Sequence, residues 1–214
     1  MPRVANVDRP RQRRLRADAV HRATEKGAGK CNSFVPGTKV LRADGTSKPI
    51  EQLKLGDKVK ATDPATGKTT AEPVVATIIG QGTKHLVDLK VTTTSPDGST
   101  GAAHVVATDG HPFYLPSECG WARATDLDVG DLIQPSQPRT LSRVTSVVRD
   151  DAAISAHNLT IDALHTYYVL VGHTTVLVHN SSCGTPWMDH IGEKHMRDTH
   201  YSGGKDNVEG KSTF

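Results

Sequence analysis

The sequence is poor in cysteine. Its three cysteines (Cys31, Cys119 and Cys183) cannot build a disulfide framework, and no C-x-x-C pair offers the ligand spacing of a structural zinc site. An odd number of isolated thiols directs attention to single residues with individual roles. Cys31 is the hardest of them to explain by packing, because polar Asn32 and Ser33 follow it.

Aromatic residues and long apolar runs are also scarce. Aromatics make up 4% of the 214 residues, which disfavours base-stacking platforms for single-stranded nucleic acid. No run of about 18 apolar residues is present, so we expect no membrane-spanning helix. The Arg-rich start has no apolar stretch behind it, so we expect no secretory signal, and the localisation stays open.

The positive charge is concentrated at one end of the chain. The net charge is +3, but residues 1–30 hold nine Lys and Arg against three acidic residues, which gives +6 there and −3 for the rest. We expect residues 1–30 to form a disordered, solvated basic arm. Nucleic-acid binding by the arm is the weaker alternative, and salt-sensitive binding that disappears on its deletion would support it.

Residues 31–180 have the texture of an all-β domain. Short β-branched runs alternate with turn signals at regular spacing, and no long helical period is present. The turn signals share an Asp-Gly, Asp-Pro or Gly-rich character: Asp44-Gly45, Asp63-Pro64 with Thr66-Gly67, Gly80-Gln81-Gly82, Asp97-Gly98 and Asp109-Gly110.

One internal repeat is visible in this domain. Residues 53–59 and 127–133 both read L-x-[LV]-G-D-x-[VI], 74 residues apart. Two copies at about half the domain length suggest two related β halves about a pseudo-two-fold axis. The alternative is chance similarity between two turns, because Gly-Asp is a natural way into a hairpin.

Two further positions carry reactive groups in a suggestive order. Thr108 and His111 follow an apolar strand, and a hydroxyl and an imidazole three residues apart can both face one reacting amide. The apolar strand that ends at His179 is followed by Asn180 and Ser181. An asparagine can attack its own peptide carbonyl through its side-chain nitrogen, and a neighbouring imidazole can assist this step. Asn180 could instead simply end the strand.

Four ordered blocks make the chain resemble Hint domains, the hedgehog/intein autoprocessing fold. The blocks are Cys31 with NSFVPGTKVL, Thr108-Asp109-Gly110-His111, the late block NLTIDALHTYYV (158–169), and the ending VLVHN (176–180). The wording of the last two is similar to the Hint modules that precede toxin domains in bacterial polymorphic toxins. The resemblance covers residues 31–180 and implies a horseshoe-like all-β fold with two pseudo-symmetric halves.

The resemblance also implies roles for individual residues. Cys31 would attack the Lys30 carbonyl and convert the amide to a thioester, assisted by Thr108 and His111. His179, and with it His165, would assist cyclisation of Asn180, which severs the bond to Ser181. The domain would act once per molecule, as a monomer, on its own flanking segments, without a metal, a cofactor or an external substrate.

Asn158 departs from the pattern of many inteins, which carry an aspartate there. An amide cannot act as a general acid or base, so the step that this aspartate coordinates is in doubt. Ser181 supplies the hydroxyl that splicing would require, so splicing is allowed, but we favour cleavage. A non-cleaving β scaffold that presents a toxin is the alternative from another class.

The residues after the domain and the remaining special residues receive plainer interpretations. Residues 181–214 look like the truncated start of a toxin domain, too short to bury a core. Three histidines there recur every five residues and do not share a helical face, so we expect surface histidines rather than a metal site: His190, His195 and His200. We expect Cys119, Trp121 and Trp187 to be packing residues.

Overall fold

The computed structural model describes residues 32–180, and within them the regular structure is β apart from two single turns of 3₁₀-helix, Ile50–Gln52 and Ala124–Asp126. The predicted all-β class is confirmed. The predictions for residues 1–31 and 181–214 lie outside the described residues, including those for the basic arm, Cys31, Ser181 and the three late histidines. The thirteen strands of the described part are β1 (Lys39–Leu41), β2 (Ser47–Pro49), β3 (Lys58–Thr62), β4 (Thr69–Gly80), β5 (Thr83–Thr94), β6 (Thr100–Thr108), β7 (Pro112–Leu115), β8 (Gly120–Arg123), β9 (Leu132–Ile133), β10 (Leu141–Ala153), β11 (Ala156–Ile161), β12 (Thr166–Val171) and β13 (Thr174–His179).

The strands pair into three antiparallel groups. Their orders are β2-β1-β12-β13-β7-β8, β6-β5-β10-β9 and β11-β4-β3. Burial follows the position of each strand: β5 buries Val87, Leu89 and Val91 in alternation, as expected for a strand with one face on the core. All six residues of β13 are buried, and its apolar run is typical of a strand that is covered on both faces. No helix among residues 32–180 is long and apolar enough to cross a membrane.

The sequence repeat corresponds to a repeated backbone structure. In the first copy, the Gly56 N–H donates to the Val74 carbonyl at 2.9 Å, and the Val74 N–H donates to Asp57 at 2.9 Å. In the second copy, Gly130 makes the equivalent bond to Val144 at 2.8 Å, and both glycines have positive φ. A register shift follows immediately in each partner strand. The interpretation as two related halves is therefore confirmed over chance similarity.

The two halves exchange strands. The long strand β4 pairs with β11 rather than with its chain neighbour β5, and β10 pairs with β5 rather than with β11. The short hairpins β1–β2 and β7–β8 then lie in one six-stranded sheet, on either side of the central pair β12–β13. Each half is thus completed by the other, and β13 ends deep inside the molecule.

The first described residues are also drawn into the interior. Phe34 forms β-bridges with Ala107 on β6 and with His157 on β11, and its side chain is fully buried. Its N–H donates to the His157 carbonyl at 2.8 Å, and the His157 N–H donates back at the same distance. The segment that begins the described domain is therefore fixed between two strands, close to the turn after β6.

Candidate active site

The turn after β6 holds the residues that directly follow Cys31. The Ser33 N–H donates to Thr108 Oγ1 at 2.9 Å, and the Thr108 N–H donates to the Ser33 carbonyl at 2.9 Å. A Cβ added to Gly110 would lie 3.1 Å from Asn32 Oδ1, so the glycine permits this close approach. Ser33 and Thr108 are both buried. The block Thr108–His111 thus holds the first described residues through hydrogen bonds to Ser33.

His111 is a buried imidazole without a polar partner. Its side chain is fully buried, and neither ring nitrogen has a hydrogen-bond partner among the described residues. The nearest ring is that of Phe34, at 4.1 Å between centroids. Burial, and secondarily the proximity of His179, lower the pKa of His111 to about 3. The imidazole is therefore neutral at physiological pH.

His179 is the second such imidazole. It is the last residue of β13 and is buried, and neither of its ring nitrogens has a hydrogen-bond partner within residues 32–180. Its ring contacts Trp121 at 5.1 Å and lies 6.3 Å from the ring of His165. Burial, and then His165, lower the pKa of His179 to about 4. Two neutral imidazoles therefore occupy one water-poor region.

Asn180 is held in place through its backbone. Its N–H donates to the His165 carbonyl at 2.8 Å, and its side-chain Oδ1 is buried with no hydrogen-bond partner in the described part of the chain. His165 has a φ of 53°, an uncommon left-handed conformation for a residue other than glycine, while its side chain is exposed. The structure thus brings the predicted residues His165, His179 and Asn180 together at one point.

Asn158 makes a different set of contacts. It is buried on β11, and its Oδ1 accepts hydrogen bonds from the Leu159 N–H at 2.8 Å and from the Tyr167 hydroxyl at 3.1 Å. Tyr167 is fully buried, and its ring lies 6.5 Å from that of Phe34. The side-chain oxygen of Asn158 therefore satisfies two buried hydrogen-bond donors in the core. The catalytic role predicted for Asn158 stays a prediction.

The predicted site is incomplete in the described range, since Cys31 and Ser181 both lie outside it. Within residues 32–180, no group of three or more His, Cys, Asp or Glu side chains is arranged to hold a metal ion. Thr108, His111, His165, His179 and Asn180 are the predicted residues that the structure gathers here.

Two aromatic residues contact the site histidines at positions that the sequence does not single out for this role. Phe34 carries no chemistry-bearing group, yet its ring is the nearest neighbour of the His111 imidazole. Trp121, predicted as a packing residue, packs against His179.

The prediction of packing is wrong for Cys119, which is exposed with a positive φ of 49°. It lies in the turn between β7 and β8, where its side chain reaches solvent.

Comparison with protein families gives one match that covers most of the chain. The family described as "Pretoxin HINT domain" matches residues 39–181. A curated protein named Protein RecA, from Mycolicibacterium chitae, is 29% identical over 112 residues, which is 51% of this chain. The match covers 25% of that protein, so the chain spans about a quarter of the length of this relative.

Solved structures similar to this one are inteins and intein-like domains. The bacterial intein-like domain from Clostridium thermocellum is 33% identical, with a TM-score of 0.59, over 69% of this chain and 98% of that one. The DnaB intein from Synechocystis sp. PCC 6803 is 18% identical, with a TM-score of 0.52, over 71% of this chain and 99% of that one. An intein from a hyperthermophile is 14% identical, with a TM-score of 0.54, over 69% and 99%. At these lower identities the likeness concerns the fold alone.

Proposed function

The chain belongs to the pretoxin HINT domain family, and we propose that it cleaves its own backbone after Asn180 and releases the segment that begins at Ser181. Its fold is that of autoprocessing domains, which act on their own flanking segments. The observation that carries the proposal is the state of Asn180. It is buried beside His179, tied by its N–H to His165, with its side-chain oxygen unpartnered in the described residues.

The C-terminal step is an intramolecular aminolysis that splits the chain in two and needs no external reagent. The Asn180 side-chain nitrogen attacks the Asn180 carbonyl carbon, a new C–N bond closes the succinimide ring, and the C–N bond to Ser181 breaks. The proton lost from the side-chain nitrogen is matched by the proton gained by the departing α-amine. His179, which burial keeps neutral at physiological pH, would accept the first proton, and the lowered pKa makes the imidazolium so formed a better donor of the second.

The N-terminal step would begin at Cys31. Its thiolate attacks the Lys30 carbonyl carbon, the bond to the Cys31 nitrogen breaks, and the thiol proton is transferred to the freed amine through His111. Thr108 fixes the backbone of Ser33, two residues beyond Cys31, which supports a positional role for this turn. Thioester formation from an amide is uphill, so hydrolysis, an added thiol or the Asn180 step must draw it forward.

Cleavage and splicing differ in the fate of the two flanks. Cleavage at Asn180 releases residues 181–214, whereas splicing would transfer residues 1–30 to the Ser181 hydroxyl and join the flanks. The side chain of Asn158 cannot ionise as the aspartate of many inteins does, and this favours cleavage. We further propose that a monomer reacts with itself, so the rate constant should not depend on protein concentration.

Intact-mass analysis of the wild type and three variants tests the proposal. The wild type should lose about 3.7 kDa, since 34 of the 214 residues of a 23.0 kDa chain follow Asn180. Asn180→Ala should remain uncut at this bond, whereas Cys31→Ala should still be cut there. Ser182→Ala is the matched control beside the scissile bond and should react like the wild type. The N-terminal product should be one water lighter than the product of hydrolysis.

Three results would contradict parts of the proposal. A wild type that keeps its full mass through long incubation, with and without added thiol, would leave the non-cleaving scaffold as the function. A ligated product of residues 1–30 with 181–214 would replace cleavage by splicing. A cleavage rate constant that rises with protein concentration would contradict the intramolecular reaction.

A further inference from the structure

Trp121 and His179 lie on the same face of the six-stranded sheet. Val178 is paired with Phe113, and Tyr114 is paired with Trp121, so the register runs across β13, β7 and β8. Because side chains alternate along a strand, Tyr114, Trp121 and His179 project from one face. The indole of Trp121 contacts both the ring of Tyr114 and the imidazole of His179, each at 5.1 Å between centroids.

The contact between Trp121 and His179 matters more than an ordinary packing contact, because no hydrogen bond from the described residues orients the His179 ring. A catalytic imidazole commonly donates one ring N–H to a carboxylate or carbonyl, which fixes its tautomer and ring orientation. In the described chain neither ring nitrogen of His179 has such a partner. The orientation of the ring is therefore set by neighbouring side chains, and the T-shaped contact with Trp121, at 69° between planes, is the closer of its two ring contacts.

We propose that Trp121 is a positioning residue for the cleavage after Asn180: its indole fixes the orientation of the His179 imidazole and keeps water away from it. This inference rests on the proposed function, because it assigns a residue to the same reaction. The indole is carried by strand β8 of the hairpin β7–β8. The register between β7 and β13 fixes where the indole lies along β13 relative to His179. The remaining titratable groups that face His179 are His165, from the turn before β12, and His111, from the turn before β7.

A fluorescence titration tests the contact without any cleavage. The sequence has two tryptophans, so Trp187→Phe in the Asn180→Ala chain leaves Trp121 as the sole indole. A protonated imidazole in ring contact quenches indole fluorescence, so the emission should fall with a midpoint near pH 4, where His179 titrates. The midpoint should disappear in His179→Gln and persist in His165→Gln and His111→Gln. A titration that His179→Gln leaves unchanged overturns the proposal.

Cleavage kinetics in the otherwise wild-type chain test the role. Trp121→Ala should slow the cleavage after Asn180 by roughly 10-fold or more, since a misplacement of about 1 Å can cost up to about 100-fold in rate. Trp121→Phe keeps an aromatic ring at this position and should restore the rate to within about 3-fold of the wild type. Tyr114→Phe, which keeps the aromatic ring in contact with the indole, is the matched control and should cleave at the wild-type rate.

The outcomes separate this proposal from the one on which it rests. A wild type that does not cleave overturns both. A cleaving wild type with an equally fast, folded Trp121→Ala overturns the positioning role alone. Should Trp121→Ala fail to fold, judged by thermal unfolding, Trp121→Leu replaces it: a rate equal to that of Trp121→Phe overturns the proposal, and a rate at least 10-fold lower supports it.

Discussion

At the scale of single residues, two buried imidazoles lack polar partners within residues 32–180. His111 and His179 are both buried without hydrogen bonds to their ring nitrogens, and an unsatisfied buried polar group costs about 1–3 kcal/mol. Aromatic residues of similar size would fill the same space at a lower cost. Since groups with perturbed pKa values cluster at functional sites, the presence of both histidines agrees with the proposed catalytic use.

The same two residues predict how stability depends on pH. Folding lowers the pKa from the ordinary 6.5 to about 3 for His111 and to about 4 for His179. At pH values between the folded and unfolded pKa of each histidine, the folded chain therefore binds fewer protons than the unfolded chain. Their neutral forms are fully compatible with folding above pH 6.5, and stability falls as the pH drops from 6.5 towards 4 and then 3. For His179 the loss is at most roughly 3 kcal/mol.

Urea unfolding of the uncleaved Asn180→Ala chain at pH 7, 5.5 and 4.5 measures this dependence. We expect the free energy of unfolding to decrease steadily over the series. His179→Gln in the same chain should flatten the decrease, and adding His111→Phe should flatten it further. An unchanged slope in the double variant would show that other groups control the acid sensitivity.

The sequence identifies the candidate site residues better than their neighbours in the fold. The residues Thr108, His111, His179 and Asn180 are recognisable because each chemical group stands in a local pattern, beside a turn or at the end of an apolar strand. Phe34 and Trp121 are not recognisable, since their contacts with the histidines depend on strand register between segments far apart in sequence. No local sequence signal shows whether an aromatic side chain will pack against other core residues or against a histidine of the candidate site.

At the scale of elements, the repeated L-x-[LV]-G-D turn has the strictest local requirement, which is a residue with positive φ at its glycine. Gly56 has a φ of 83° with nothing within 4 Å of an added Cβ, so an alanine there would be strained by the backbone alone. We expect Gly56→Ala to lower the free energy of unfolding by about 1 kcal/mol. Gly101→Ala is the control, because Gly101 has no positive φ and its added Cβ would meet Thr93 Oγ1 at an ordinary 3.8 Å.

Urea denaturation of both variants in the uncleaved background gives the comparison. Equal stabilities for Gly56→Ala and Gly101→Ala would contradict the requirement for a left-handed residue in this turn. The predicted turns at Asp44-Gly45 and Asp97-Gly98 likewise have positive φ at their glycines. At Asp109-Gly110 the glycine instead serves the close approach of Asn32, which no turn rule foretells.

At the scale of the whole molecule, strand exchange makes the two halves dependent on each other. The repeat in the sequence indicates two related halves, but it does not indicate which strands pair between them. That choice is made by long-range register: β4 pairs with β11, and β10 pairs with β5 along twelve residue pairs. The segment after Cys31 contacts His111 through Phe34, and His111 in turn lies within electrostatic range of His179 at the end of β13.

This dependence predicts that neither half folds alone. A fragment of residues 32–110 retains β4 and β5 but lacks β11 and β10, their partners across the halves. A fragment of residues 111–180 retains β10 and β11 but lacks their partners β5 and β4, and it also lacks β1, which pairs with β12. Strands without partners have no way to satisfy their backbone groups inside a core, and two-stranded remnants are marginal at best. Each fragment should therefore give a poorly dispersed amide NMR spectrum.

Mixing the two fragments should restore the dispersed spectrum of the intact domain, because every missing partner strand is then supplied. The restoration should weaken on dilution, since the pairing has become bimolecular. The unfragmented Asn180→Ala chain provides the reference spectrum. A dispersed, concentration-independent spectrum from residues 32–110 on their own would mean that the first half has its own complete core, and that the exchange of β4 and β10 partners is not what holds the site together.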